Sequence, residues 1–97
     1  MTDTQKQIED IFNEVKDLVL SKNAQYGDSV LNPVRIFSKA HISEQIRVRM
    51  DDKLSRLARG NDNIESDEDI YMDLMGYCAF AVIAIRNEKA KTNNSDD

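Results

Sequence analysis

"YMDLMGYCAF", residues 71–80, is the most apolar neighbourhood of the chain, and an acid, Asp73, stands near its start. The stretch reads as part of a helix that begins behind Ser66 and reaches about Asn87. Ser66 is a good N-cap, and Asp67, Glu68 and Asp69 fall in the first turn, where the helix dipole favours acids. From Leu74 onward the helix is apolar on nearly all sides, which predicts a place between other helices or in a subunit interface. The longest apolar run, Leu74 to Ile85, has 12 residues, too short for a bilayer, which needs about 20. A carboxylate beside Leu74, Met75 and Tyr77 costs free energy unless something pairs with it. The partner of Asp73 is therefore the question on which function turns.

Working outward, Ile8, Ile11, Phe12, Val15, Leu18 and Val19 recur at three- and four-residue spacing, which predicts a helix from about Thr4 to Ser21. Asn32 as N-cap with Pro33 in the first helical position predicts a short helix through about Lys39. The segment before it reads as a loop of roughly ten residues, longer than the usual connection and so a candidate carrier of function. Ser43 is the expected cap of a further helix running to about Arg59 and stopped by Gly60, with Ile46, Met50, Leu54 and Leu57 as its apolar stripe. A turn, "GNDNIES" (residues 60–66), leads into the last helix. The expected fold is all-α: a small bundle of three long helices plus one short one, in a single domain over residues 1–90. Residues 91–97 are expected to be a polar, flexible tail. No strand pattern, repeat or second domain is visible.

The bulk properties bound the function. The chain has 97 residues and a net charge of −5. One domain of this size has a modest core, so self-association would help it. The negative charge argues against a general nucleic-acid binder, which needs a basic face, but leaves room for a small anion held by a few local cations. The single cysteine, Cys78, excludes a disulfide framework within one chain and a Cys-rich zinc site; it reads as a small buried residue in a reducing cytoplasm. The polar, acidic N-terminus does not look like a signal peptide.

Several residues could carry chemistry. Asp69 and Asp73 are one turn apart on the last helix, with Gly76 and Phe80 continuing that face. Two carboxylates so placed can bind one Mg²⁺, or Asp69 can merely favour the helix start while Asp73 pairs with a cation. Lys53 and Arg56 in "DDKLSRLARG" lie beside the apolar stripe. Their stems can cover the core with the charges in water, or Lys53 can keep Asp73 ionised while Arg56 reaches a phosphate. Asp52 is a metal ligand only if its face also packs against something. In "KNAQYGDS", Lys22 could meet a phosphate, Tyr26 offers a ring for stacking, and Asp28 could accept from a base or ribose or cap a turn. His41 reads as a surface or capping residue rather than a catalytic one.

Taken together, "KNAQYGDS", "NPVRIF", "DDKLSRL" and "ESDEDIYMDLMGYCAFAVIAI" resemble the small phage and bacterial proteins called nucleotide modification associated domain type 1. These are similar to MazG-like, all-α nucleoside triphosphate pyrophosphohydrolases. The resemblance spans roughly Lys22 to Ile85. It implies a MazG-like helical bundle, dimeric or larger, with a nucleotide pocket between helices. In such enzymes, acids on two adjacent helices hold Mg²⁺, which activates the water that cleaves between the α- and β-phosphates. Carried over, the resemblance makes Lys22, Asn23, Tyr26, Asp28, Lys53 and Arg56 the candidate nucleotide-binding residues, and Asp52, Asp69 and Asp73 the candidate metal ligands. The chain departs from the enzymes' glutamate cluster. Asp52, Lys53 and Arg56 stand where the glutamates would, and Asp69 and Asp73 are four apart rather than three.

The expected function is that of a phage-type, cytoplasmic nucleotide-binding protein of a bacterial host cell. It would act as a homodimer or larger homo-oligomer, without membrane or nucleic-acid partners. Mg²⁺-dependent (d)NTP pyrophosphohydrolysis is one form of this function. The alternatives are a non-catalytic binder that sequesters a nucleotide or nucleotide signal, and a structural protein that has lost its ligand. Asp73 is then either a metal ligand or the counter-ion of Lys53.

Overall fold

The computed structural model describes residues 1–60 and 65–94. Three helices make up the architecture: α1 (Asp3–Tyr26), α2 (Ile42–Arg59) and α3 (Asp67–Asn94). The fold is all-α, as the periodicity predicts. Among the described residues, no helix is long and apolar enough to cross a membrane.

Local chemistry sets the helix ends. Thr2 and Gln5 form a reciprocal capping box at the start of α1. The helix runs past the expected end at Ser21 to Tyr26 and stops at Gly27, whose φ of 67° is open to glycine at little cost. Lys22, Asn23 and Tyr26 therefore lie on a helix, not in a loop. At the start of α2 the cap is His41 rather than Ser43: its Nδ1 accepts from the Ser43 backbone N–H at 3.1 Å. Gly60, at φ 80°, follows its last residue. Ser66 caps α3 as expected, with its hydroxyl accepting from the Asp69 N–H at 3.1 Å. α3 continues seven residues beyond the expected end at Asn87, to Asn94. Residues 61–64 of the expected turn and 95–97 of the expected tail lie outside the described residues.

The expected short helix after Pro33 does not form. Asn32 does not cap it. Its side chain donates to Asp28 at 2.6 Å, and its backbone N–H donates to the Asp28 carbonyl at 2.8 Å. Beyond it, Arg35 donates to the Ala40 carbonyl and Lys39 to the Arg35 carbonyl, so side chains satisfy the loop instead of helical backbone bonds. Val34, Ile36 and Phe37 remain exposed on this segment.

α3 is the central element. The pairs Lys53–Asp73 and His41–Glu88 show that α2 runs antiparallel to it. Lys22–Asp73 and the close approach of Val19 to Gly76 show the same for α1. A Cβ on Gly76 would stand 2.9 Å from Val19 Cγ2, so the glycine lets α1 settle close to α3. α1 and α2 both pack on α3 and not against each other. The bundle is consequently open, with a groove over α3.

The core is small: Val15, Ile46, Ile70 and Ala84 are its buried apolar residues among those described. Leu54, expected in the α2 stripe, is 48% exposed. The half-buried neighbours of Ile46 are instead Met50, Lys53 and Leu57. Cys78 is exposed on the single chain, contrary to expectation. It lies on a stripe of α3, with Tyr71, Met75, Val82 and Ile85, that neither α1 nor α2 seals.

Candidate functional site

Because α1 extends to Tyr26, Val19, Lys22, Asn23 and Tyr26 share one face at helical spacing. That face forms one wall of a cavity of about 470 Å³ in the groove. Asp73, Gly76, Tyr77 and Phe80 supply its floor from α3, and Arg49 reaches it from α2. Ser29 and Val30 of the following loop complete it. The size falls within the range of small-molecule sites, and the mixture of apolar walls with a few charges is typical of them.

Asp73 stands at the junction of all three helices. Its Oδ2 is 2.9 Å from Lys53 Nζ on α2, and its Oδ1 is 3.2 Å from Lys22 Nζ on α1. Lys53 also donates to Glu65 at 2.7 Å. Arg56 joins Glu65 at 3.1 Å and Asp52 at 2.9 Å. The result is a chain of alternating charge: Lys22, Asp73, Lys53, Glu65, Arg56, Asp52. Asp73, Lys53 and Glu65 are its most sheltered members, with side chains 14–16% exposed.

The titration of the central pair follows from this geometry. Desolvation pushes the Asp73 carboxyl up, but the hydrogen bonds and charges of Lys53 and Lys22 outweigh it and hold the group below its ordinary 3.8. Desolvation pushes Lys53 down, but its bonds to Glu65 and Asp73 and their charges outweigh that and hold it above its ordinary 10.5. Both groups are ionised at neutral pH.

The structure distributes the candidate residues over two places. Lys22, Asn23, Tyr26 and Asp73 line the cavity. Lys53 and Arg56 do not; their charges are engaged with acids behind it. Asp28 accepts from Asn23 at 3.2 Å and from Asn32, so it ties the end of α1 to the loop. Asp69 is exposed in the first turn of α3. Among the described residues, no group of three or more His, Cys, Asp or Glu is placed to hold a metal ion. With Asp52 on Arg56 and both oxygens of Asp73 on lysines, Asp52, Asp69 and Asp73 as arranged do not fit a Mg²⁺ site. Two charged participants were not anticipated, nor was the aromatic Tyr77 of the cavity floor. Arg49 lies one turn before Lys53 on α2, and that spacing was the available signal. Glu65 sits in the polar turn before α3, where nothing marks it as the partner of two cations.

Fold and site together define an open all-α bundle with an amphipathic cavity beside a central ion pair. Comparison of the chain with protein-family models, with curated proteins and with solved structures finds no match.

Proposed function

We propose that the protein binds a nucleotide in the cavity between its three helices, without hydrolysing it, and works as a homo-oligomer. The observation that carries the first part is the lining itself. Tyr26, Tyr77 and Phe80 offer aromatic surface suited to a base, while Lys22 and Arg49 offer cations suited to phosphate. The pairing of Asp73 with two lysines favours binding over metal-dependent hydrolysis, because a metal ion at Asp73 would have to displace both. A thermal-shift panel of nucleotides with and without Mg²⁺ tests this reading, with product analysis of every hit. Ligands that bind only the folded state raise the melting temperature. Metal-independent shifts without product are expected; turnover that requires Mg²⁺ would replace the binder with a pyrophosphohydrolase.

Surface area supports the second part. The chain exposes 7570 Å² at 11.1 kDa, whereas a monomer of that mass exposes about 5,700 Å². Its radius of gyration is 16.0 Å, against about 12.5 Å for a compact chain of this length. The excess of roughly 1,900 Å² per chain is ample for a stable interface, which takes about 800 Å² per partner. A second copy is the natural cover for the Tyr71–Met75–Cys78–Val82–Ile85 stripe, and would bury Cys78. Light scattering at low micromolar concentration should give a multiple of the chain mass, and Val82→Arg should lower it. A monomeric mass for the unsubstituted protein would overturn this part.

A further inference from the structure

The charges around the cavity are few, and most of them are already paired. Three charged side chains line it: Lys22, Arg49 and Asp73. Lys22 and Asp73 are already joined at 3.2 Å, and behind Asp73 the charges of Lys53, Glu65, Arg56 and Asp52 alternate in sign down the chain of contacts. Arg49 is different. It is exposed, lines the groove, and its side chain makes no hydrogen bond or ion pair with any other described residue. The lining therefore offers one uncompensated positive charge, a planar guanidinium able to grip a phosphate with two parallel bonds.

Resting on the nucleotide reading above, we infer that the cavity selects a nucleoside monophosphate over a triphosphate, with Arg49 as the residue that holds the phosphate and Tyr26 and Tyr77 flanking the base. One free arginine, with the half-exposed Lys22 at the opposite wall, suits a group of one to two negative charges. A metal-free triphosphate would bring about four negative charges against the same two cations, with Asp73 adding repulsion across a short distance. The alternating chain also keeps Lys53 and Arg56 from joining the phosphate, since each would have to leave an acid to do so.

The test is calorimetric titration of the full chain in EDTA with a nucleoside and its 5′-mono-, di- and triphosphates, repeated for each common base, and then with Arg49→Gln. For the preferred base, the monophosphate should bind at least about tenfold more tightly than the nucleoside, and more tightly than the triphosphate. Arg49→Gln should remove most of the monophosphate's advantage over the nucleoside, at an unchanged melting temperature. A triphosphate that binds more tightly than the monophosphate in EDTA would overturn the inference and leave the nucleotide reading standing. So would an Arg49→Gln protein that keeps the full monophosphate advantage. No binding by any member of the series would overturn both.

Discussion

On one side of the central helix, α2 and α3 contribute the two most deeply buried side chains, Ile46 and Ile70, and Lys53 meets Asp73 at 2.9 Å in partial shelter. On the other side α1 contributes only Val15 to the core, leaves Ile8, Ile11 and Phe12 exposed, and meets Asp73 through a half-exposed lysine. The contrast teaches a division of labour. The α2–α3 pair supplies most of the folding energy of the single chain, since burial is the dominant favourable term. The α1 edge is lightly packed and opens onto the cavity, where a ligand can reach side chains that are not locked into the core.

Core truncation should have the largest effect. Ile46→Ala and Ile70→Ala should each cost about 2–5 kcal/mol, whereas Val15→Ala, which removes less volume from a less complete core, should cost roughly half as much. Urea unfolding at matched protein concentration measures the three. Equal losses would erase the distinction between the flanks.

Next in size is Asp73→Asn, which strands Lys53 beside Glu65 alone. The expected loss is about 2–3 kcal/mol, between the values for exposed and fully buried pairs. Adding Lys53→Met should recover part of it, and the double-mutant cycle should show coupling. A gain in stability for Asp73→Asn without Mg²⁺, uncoupled from Lys53, would return Asp73 to the role of metal ligand. The same residue has a pH signature. A carboxyl whose folded-state pKa lies below its unfolded value stabilises the fold above about pH 4 and loses that contribution as the pH falls through the folded value. Asp73 is such a group, so the stability gap between the unsubstituted protein and Asp73→Asn should shrink below about pH 4. Lys53, raised above 10.5, keeps its contribution at neutral pH and loses it only as the pH climbs through that raised value.

A smaller effect is expected at Gly76. Gly76→Ala sets a methyl against Val19 and should cost about 1–2 kcal/mol, since overpacking forces neighbours apart. It should also weaken nucleotide binding, because α1 carries a wall of the cavity. Loss of stability with unaltered binding would mean that the approach of α1 does not shape the site.

At the small end are Lys22→Met and Tyr26→Ala. The first breaks an exposed pair worth at most about 1 kcal/mol. The second removes a 65% exposed ring and should leave the melting temperature nearly unchanged, while binding weakens by about 1–3 kcal/mol if a base stacks there. Equal loss of stability and binding at Tyr26 would make it part of the core and blur the contrast between the flanks.

Much of this was legible in the residues. The periodic runs place the three long helices, Gly60 and Ser66 mark ends that the structure keeps, and the expense of an acid among Leu74, Met75 and Tyr77 leads to Lys53. These features are local, or follow from one strong energetic demand: a helix is closed by hydrogen bonds four residues apart, so neighbouring side chains suffice to encode it. Two local readings failed for local reasons. The apolar pattern of α1 ends at Val19 although its backbone has no cause to stop before Gly27, and Asn32 has a better partner in Asp28 than an unformed helix. The remaining features come from the packing of the helices. That Lys22 shares Asp73, that Glu65 takes two cations and that Arg49 is left with none all depend on how α1 and α2 lie along α3. Both flanking helices pack on α3 and not on each other, and that separation creates the cavity. It arises from the fit of whole helix faces, with Gly76 setting the approach of α1, and no single residue spacing records it.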